Sequence, residues 1–542
     1  MQPGMAKNAT VVIGKSAEIA LPISGFLRSC CLVEISFKKH ADGYKVLNRN
    51  SFPDTMNEPM RDSREITRRT TSIMAALIAP FPTGTLSFGR FVRRSVAALS
   101  ALAVAVTGVV PASAQSRGVP IVRDAEIEAL VADYAAPILK AAGLSSRGVR
   151  VILVNSPSFN AFVDGRRIFI NTGAIMQADT PNEIIGVIAH EAGHLAGGHQ
   201  DRLREQLSRA RTMAVIGMLL GVGAGVAGAA AGSGSAAGAG GGIALGSAEA
   251  AMRSVLSYQR TEEMTADRMA VNYLNATGQS TKGMLDTFQR FASALSLSGT
   301  QIDQYRISHP LPRERIANLE ELARKSPNFN KTDSPALQLR HDMARAKIAA
   351  YSGNMGALQR MFRSNPGGLP ARYGSAITTY LNGAARSAQP KFDALIKEQP
   401  KNPYFYEMRG EVLIKANDAA GAAKAFQTAV SLDPRKSPLL RMSYGRALML
   451  TGAKANMPTA IKEIKAGIAS DPEFPGGYGY LAQAYGQQGS MGLADLATAD
   501  MNFYSGKLQD AQIFAIRAQK QLKSGTPDWL RAQDIINTKK SK

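Results

Sequence analysis

The stretch IAHEAGHLAGGH, residues 188–199, most constrains what this chain can fold into. Its lead-in, Ile184, Ile185, Val187 and Ile188, is apolar enough to be buried. Thr180-Pro181-Asn182-Glu183 supplies a helix start: Thr180 suits the N-cap, Pro181 the first helical position, and Glu183 completes a capping box. The reading is a single helix that runs through His199. A buried helix with this many polar groups needs partners for them. His190 and His194, four residues apart, share one face, where two imidazoles can reach one ion. Glu191 is placed to act as general base, taking a proton from zinc-bound water and passing it to the leaving amine.

Catalytic zinc usually takes three protein ligands. On a continuous helix His199 is turned about 140° away from the face of His194, so the third ligand is expected elsewhere. Residues 258–274, YQRTEEMTADRMAVNYL, offer it. Glu263 and Asp267 stand four apart on a second helix, with Met264, Ala266, Met269, Ala270, Tyr273 and Leu274 as its apolar set. Glu263 would bind the ion, and Asp267 would orient a ligand histidine through its other ring nitrogen. Glu262, one position off, is the rival ligand.

Upstream, Asp124–Ala142 has helical spacing, followed by strands at Val149–Asn155, Ala161–Asp164 and Arg167–Asn171, with a hairpin turn at Asp164-Gly165. HEAGH, then EMTAD about 70 residues on, then HPLPRER at 309–315, together resemble the gluzincin metallopeptidase family of HtpX and the CAAX prenyl proteases. The pattern covers about Asn160–Leu319, and NAFVDGRRIFINTGAI (160–175) is similar to the strand pair that precedes the zinc helix in that family. The resemblance implies one zinc ion held by His190, His194 and Glu263, with Glu191 as base and Asp267 behind the ligands. It brings His309 and Arg315 to the site, to stabilise the oxyanion or to gate access. It also implies an edge strand around Asn160, Ala161 and Phe162 that pairs with an extended protein substrate. Among family members, the likeness is strongest to a periplasmic type with C-terminal helical repeats, which implies a role in outer-membrane protein quality control.

Between the two ligand helices lies an uncharged, Gly- and Ala-rich insert, 212–248. It is expected to form a mobile lid or a flap in peripheral contact with a membrane, its second half a flexible loop. A membrane span or re-entrant hairpin, and a disordered insert, are the alternatives.

Past Ser334 the pattern becomes helical throughout. Pro400, Pro434 and Pro472 follow at spacings near the 34 residues of a tetratricopeptide repeat, with Gly410, Ala422 and Phe426 at its small and aromatic positions. Residues 335–530 therefore read as a helical solenoid with a concave face for protein partners, outer-membrane assembly machinery among them.

At the other end, RFVRRSVAALSALAVAVTGVVPASAQ (90–115) has the three parts of a secretory signal, with cleavage expected near Ala114/Gln115 and a periplasmic product. Residues 1–89 then read as an extension ahead of a start codon called too early, and a genuine extension with a signal anchor is the rival. Both cysteines, Cys30 and Cys31, lie in that extension, so no disulfide framework or cysteine metal site follows it. Beyond residue 114 the charge is still about +15, from 50 basic against 35 acidic residues. No arginine-rich recognition helix or aromatic stacking set accompanies it, so nucleic acid is not an expected partner.

The fold expected is α+β and mostly helical. A small metallopeptidase domain at 119–330, with a short sheet and the HExxH helix, precedes an all-α tetratricopeptide-like solenoid. The function expected is a periplasmic zinc endopeptidase. The alternatives are a chaperone or adaptor with little proteolysis, and a membrane-inserted protease of the HtpX kind.

Overall fold

Asp124 ends an extended segment and caps the first helix, its side chain accepting the Ile127 N–H at 2.9 Å. The computed structural model describes residues 119–539 apart from 145–147, 231–233, 298–308 and 311–312. The extension and the signal segment expected at 1–89 and 90–114 lie outside the described residues. The described residues are mostly helical with one small sheet, as the pattern predicts.

The sheet has four strands: β1 (Ile121–Val122), β2 (Arg150–Val154), β3 (Ala161–Asp164) and β4 (Arg167–Asn171), in the order β1-β2-β4-β3. β2 and β4 are parallel; β1 and β3 are antiparallel to their neighbours. β3 joins β4 through a tight turn in which Gly165 takes φ +59°, a conformation that favours glycine. β3 is thus an edge strand. The Asn171 N–H donates to the Asn160 carbonyl, so the backbone groups of Ala161 and Val163 point outward, away from β4.

Helix α1 (Ala125–Ala141) packs against helix α3 (Pro181–Gly197), which the short α2 (Thr172–Gln177) precedes in the chain. The Thr180–Glu183 capping box forms, with Pro181 in the first turn. Ile184, Ile185, Val187 and Ile188 are buried in one core with Ile138, Ile168, Ile170 and Phe288. The helix does not run on through His199. Gly198 adopts a left-handed conformation (φ 64°) that closes α3, and α4 (His199–Ala230) starts anew. The insert also departs from expectation. Its second half is not a loop: α5 (Gly234–Ala276) is helical from Gly234 and packs along α4 as a hairpin. Alanine is the best helix former and offsets the glycine cost, and the small side chains let the two helices approach closely.

Helices α6 (Lys282–Leu297) and α7 (Arg313–Arg324) complete this part. Six helical pairs follow: α8 (Pro335–Tyr351) with α9 (Met355–Met361), α10 (Leu369–Leu381) with α11 (Ala385–Glu398), α12 (Pro403–Lys415) with α13 (Ala419–Leu432), α14 (Pro438–Leu450) with α15 (Met457–Ser470), α16 (Pro475–Gln488) with α17 (Met491–Tyr504), and α18 (Leu508–Gln519) with α19 (Pro527–Asn537). Gly410 is small because a Cβ there would sit 2.6 Å from the Phe426 ring.

The stack folds back onto α1. Lys347 is fully buried, its Nζ 2.8 Å from Asp124, 3.4 Å from Glu126 and 3.5 Å from Glu407. Tyr373 donates to Glu126 at 2.8 Å, and Arg123 pairs with Asp471 at 2.5 Å.

Candidate metal centre

The i, i+4 spacing on α3 turns His190 and His194 toward α5, and their Nε2 atoms lie 3.0 Å apart. Glu263 on α5 meets both, with Oε2 3.3 Å from His190 Nε2 and Oε1 3.3 Å from His194 Nε2. His309 enters from the segment before α7, with Nδ1 3.3 Å from His190 Nε2 and 3.1 Å from Glu263 Oε1. All four residues are buried, and their ligand atoms lie within 4.8 Å of one another. Zinc–nitrogen bonds of about 2.0–2.1 Å put tetrahedral donors about 3.3–3.4 Å apart. The donor set matches that spacing closely enough to hold one ion.

Each donor is backed by a second group. His190 Nδ1 lies 3.0 Å from Asp267 Oδ1. Burial opposes a charge on His190, but Asp267 and Glu263 outweigh it and raise the imidazole to about 9. Burial alone would push Glu263 up, yet His309, His190 and His194 hold it well below the usual carboxylate range. Burial lowers His194. On its far side His194 Nδ1 is 3.0 Å from His199 Nδ1, and His199 Nε2 is 2.6 Å from Glu262 Oε2. Burial and the neighbouring His194 push His199 down to about 4, so it is neutral and offers one donor and one acceptor. His199 and Glu262 thus form a relay behind His194, and neither joins the four converging donors. The relay was not read from the sequence. Its one signal is that Glu262 precedes Glu263 while His199 falls five residues after His194.

Arg315 sits behind the donors, not on their open side. It grips Asp267 with two bonds of 2.6 and 2.9 Å, reaches Glu263 Oε2 at 2.7 Å and donates to the Pro310 carbonyl at 3.0 Å. Its guanidinium also lies 4.9 Å from the Phe288 ring centroid. This geometry makes it a positioning residue for Glu263, Asp267 and the His309 segment.

Glu191 is fully buried, and among the described residues its carboxylate accepts no hydrogen bond. Its Oε1 lies 3.4 Å from His309 Nε2. A buried carboxylate without a hydrogen bond is costly, and a water held between it and an ion at the donor set would satisfy it. His309 Nε2 also lies 3.3 Å from the Ala161 carbonyl. Two residues on, Gln200 Nε2 donates to the Val163 carbonyl at 2.6 Å and its Oε1 accepts the Gly165 N–H at 3.2 Å. Both outward carbonyls of the edge strand are therefore covered. Phe162 stacks on Phe169 with centroids 4.8 Å apart, and Asn160 accepts from Asn171 at the strand's start. A cleft of about 160 Å³ lined by Phe162, Val163, Glu191, His194, Tyr258 and His309 opens here. A larger cavity, about 630 Å³, lies between α1 and the solenoid and touches none of the four donors.

Residues 122–323 match the model described as Peptidase family M48. The chain is 26% identical over 387 residues to the beta-barrel assembly-enhancing protease of Yersinia pestis, covering 70% of this chain and 76% of that protein. It is 21% identical over 384 residues to the protein of that name in Escherichia coli K12, with 69% and 75% covered. A protease HtpX homolog of Paraburkholderia phytofirmans is 30% identical over 198 residues, 32% of this chain and 68% of that protein. Among solved structures, MamA is 16% identical with a TM-score of 0.26, covering 30% of this chain and 95% of its own.

Proposed function

The chain belongs to peptidase family M48 and is a metallopeptidase, and from that premise we propose a zinc-dependent endopeptidase whose ion is held by His190, His194 and Glu263. The observation that carries this reading is the convergence of those three donors beside the unbonded carboxylate of Glu191. Zinc bound there supplies Lewis-acid polarisation of the scissile carbonyl and a water of low pKa. Asp267 and the His199–Glu262 pair fix the ligand imidazoles in the right orientation. Glu191 accepts the proton of the attacking water and delivers it to the leaving amine. Once His309 and Gln200 release their carbonyls, the outward backbone groups of Ala161 and Val163 pair with an extended protein substrate along the strand of Asn160 and Phe162.

His309 stands at the fourth corner of the donor set and on the Ala161 carbonyl at once. Catalytic zinc keeps one position open. The described arrangement is therefore latent, and His309 gates both the ion and the substrate strand. The name that two relatives carry, beta-barrel assembly-enhancing protease, supports a role in β-barrel assembly. We place that role in the quality control of outer-membrane proteins, which calls for a periplasmic location, with the solenoid docking protein partners.

Glu191→Gln tests the reading. The variant keeps its metal and its fold and loses peptide-bond hydrolysis. If it cleaves every substrate that the wild type cleaves, the assignment of the base is wrong.

A further inference from the structure

The α4–α5 hairpin is built inside out for water. Gly217 and Gly221, one turn apart, are buried against α5, and a Cβ on Gly217 would collide with the Ser247 side chain. The large apolar residues point the other way. Met213, Val215, Ile216, Met218, Leu219, Leu220 and Val222 are 51–68% exposed. At 100° per residue they surround the helix on every side except the glycine face. A hairpin that docks in a protein groove needs one apolar stripe. One that is apolar all round, with small residues at the helix contact, suits immersion in lipid. Among the described residues, His199–Ala224 is also the helix long and apolar enough to cross a membrane by length and composition.

The charges stop within about one turn of each other. None occurs from Thr212 to Ala248. Gly217 faces Ser247 and Arg202 pairs with Glu262, a register that sets Glu249 level with Val215 and Arg211 level with Arg253, about 6 Å further from the tip. Arg209, Arg211, Glu249 and Arg253 are exposed. The stems 199–211 and 249–262 carry six arginines against four acidic residues. The uncharged part of α4 rises about 28 Å and that of α5 about 22 Å, within the roughly 30 Å of a hydrocarbon core. The ring of large apolar residues spans about 14 Å, close to the depth of one leaflet.

We infer that this hairpin enters an anionic phospholipid bilayer tip first, as far as Glu249, with Arg211 and Arg253 among the headgroups, and fastens the protein to the membrane surface. Glu263 lies 14 residues beyond Glu249 on the same helix, so the candidate metal centre stands about 20 Å outside the level of Glu249. Substrates reached there are segments of proteins held at the membrane. The anchoring itself does not depend on catalysis.

The test uses the full chain with its single tryptophan removed (Trp529→Phe) and a reporter placed either on the hairpin (Leu219→Trp) or on the stem (Ser257→Trp). Each is mixed with phosphatidylethanolamine–phosphatidylglycerol vesicles that carry brominated acyl chains. The hairpin reporter shifts to the blue and loses emission to the bromines, while the stem reporter, about 12 Å outside the level of Glu249, does neither. Quenching at both positions, or at neither, overturns the inference. The second result is also the one expected if the hairpin docks on a protein instead.

Discussion

Replacing His309 by alanine will raise peptide hydrolysis, although the residue sits among the groups that do the chemistry. Its Nδ1 is 3.3 Å from His190 Nε2 and 3.1 Å from Glu263 Oε1, while Nε2 faces the Ala161 carbonyl at 3.3 Å. The substrate strand and the open coordination position both need the space it fills. The contact with Ala161 is worth about 1 kcal/mol, and the charge-assisted contact with Glu263 about 1.5–3 kcal/mol. Together they favour the closed arrangement by about 2.5–4 kcal/mol, an open population of roughly 0.1–1.5%. His309→Ala frees the rest, so kcat/KM on an unfolded protein or a quenched fluorescent peptide rises about 70-fold or more. The assay must be run at saturating zinc, so that a change in metal affinity does not enter. The opposite role is available to the same residue. If His309 stabilised the oxyanion, its loss would lower kcat by about 100–1000-fold. A fall of that size, with zinc content unchanged, refutes the gate.

Further outcomes follow from the groups around it. Asp267→Ala or Arg315→Met loosens the orientation of His190 and Glu263, so zinc affinity drops about 10–100-fold in competition with a chelator, while the circular dichroism spectrum stays that of the wild type. Lys347→Ala leaves buried Glu126 and half-buried Asp124 and Glu407 without their cation, and denaturant unfolding will show a loss of about 3 kcal/mol. Burial raises Glu407 to about 8. Between its ordinary value near 4.5 and that value the folded chain holds a proton that the unfolded chain has lost, so its contribution to stability falls as pH rises through this window; a Glu407→Gln variant will flatten the trend. His190, held at about 9 without metal, must give up a proton to bind zinc. Calorimetry at pH 7 in two buffers will show about one proton released from it per ion, and apparent affinity will fall about tenfold for each unit of pH below 9.

Local grammar made much of this legible. The capping box at Thr180–Glu183, the turn at Gly165 and the histidine spacing on α3 are short-range features, and each appears where its residues place it. Glu263 and Asp267 were readable for the same reason, being one turn apart on one helix. What escaped depends on distance in sequence or on a single backbone state. Gly198 ends a helix by taking a positive φ, and GlyGly inside a helical pattern does not announce which glycine turns. The Glu262–His199 pair joins residues 63 positions apart, and Gln200 covers Val163 across 37. The family pattern brought Arg315 to the site but did not say which side of the donors it would occupy; its contacts with Asp267 and Pro310 do. The glycine content of the insert's second half suggests a loop, whereas two glycine-bearing helices stabilise one another by close contact.

Zinc content of two neighbouring variants tests the central claim most directly. Glu263 meets both ligand histidines at 3.3 Å, while Glu262, one residue away, faces His199 at 2.6 Å. Purified wild-type protein is expected to carry one zinc per chain by mass spectrometry of the acid-digested sample. Glu262→Gln keeps it, and Glu263→Gln loses it while remaining folded. Retention in Glu263→Gln with loss in Glu262→Gln would contradict the account, for the third ligand would then be the other glutamate.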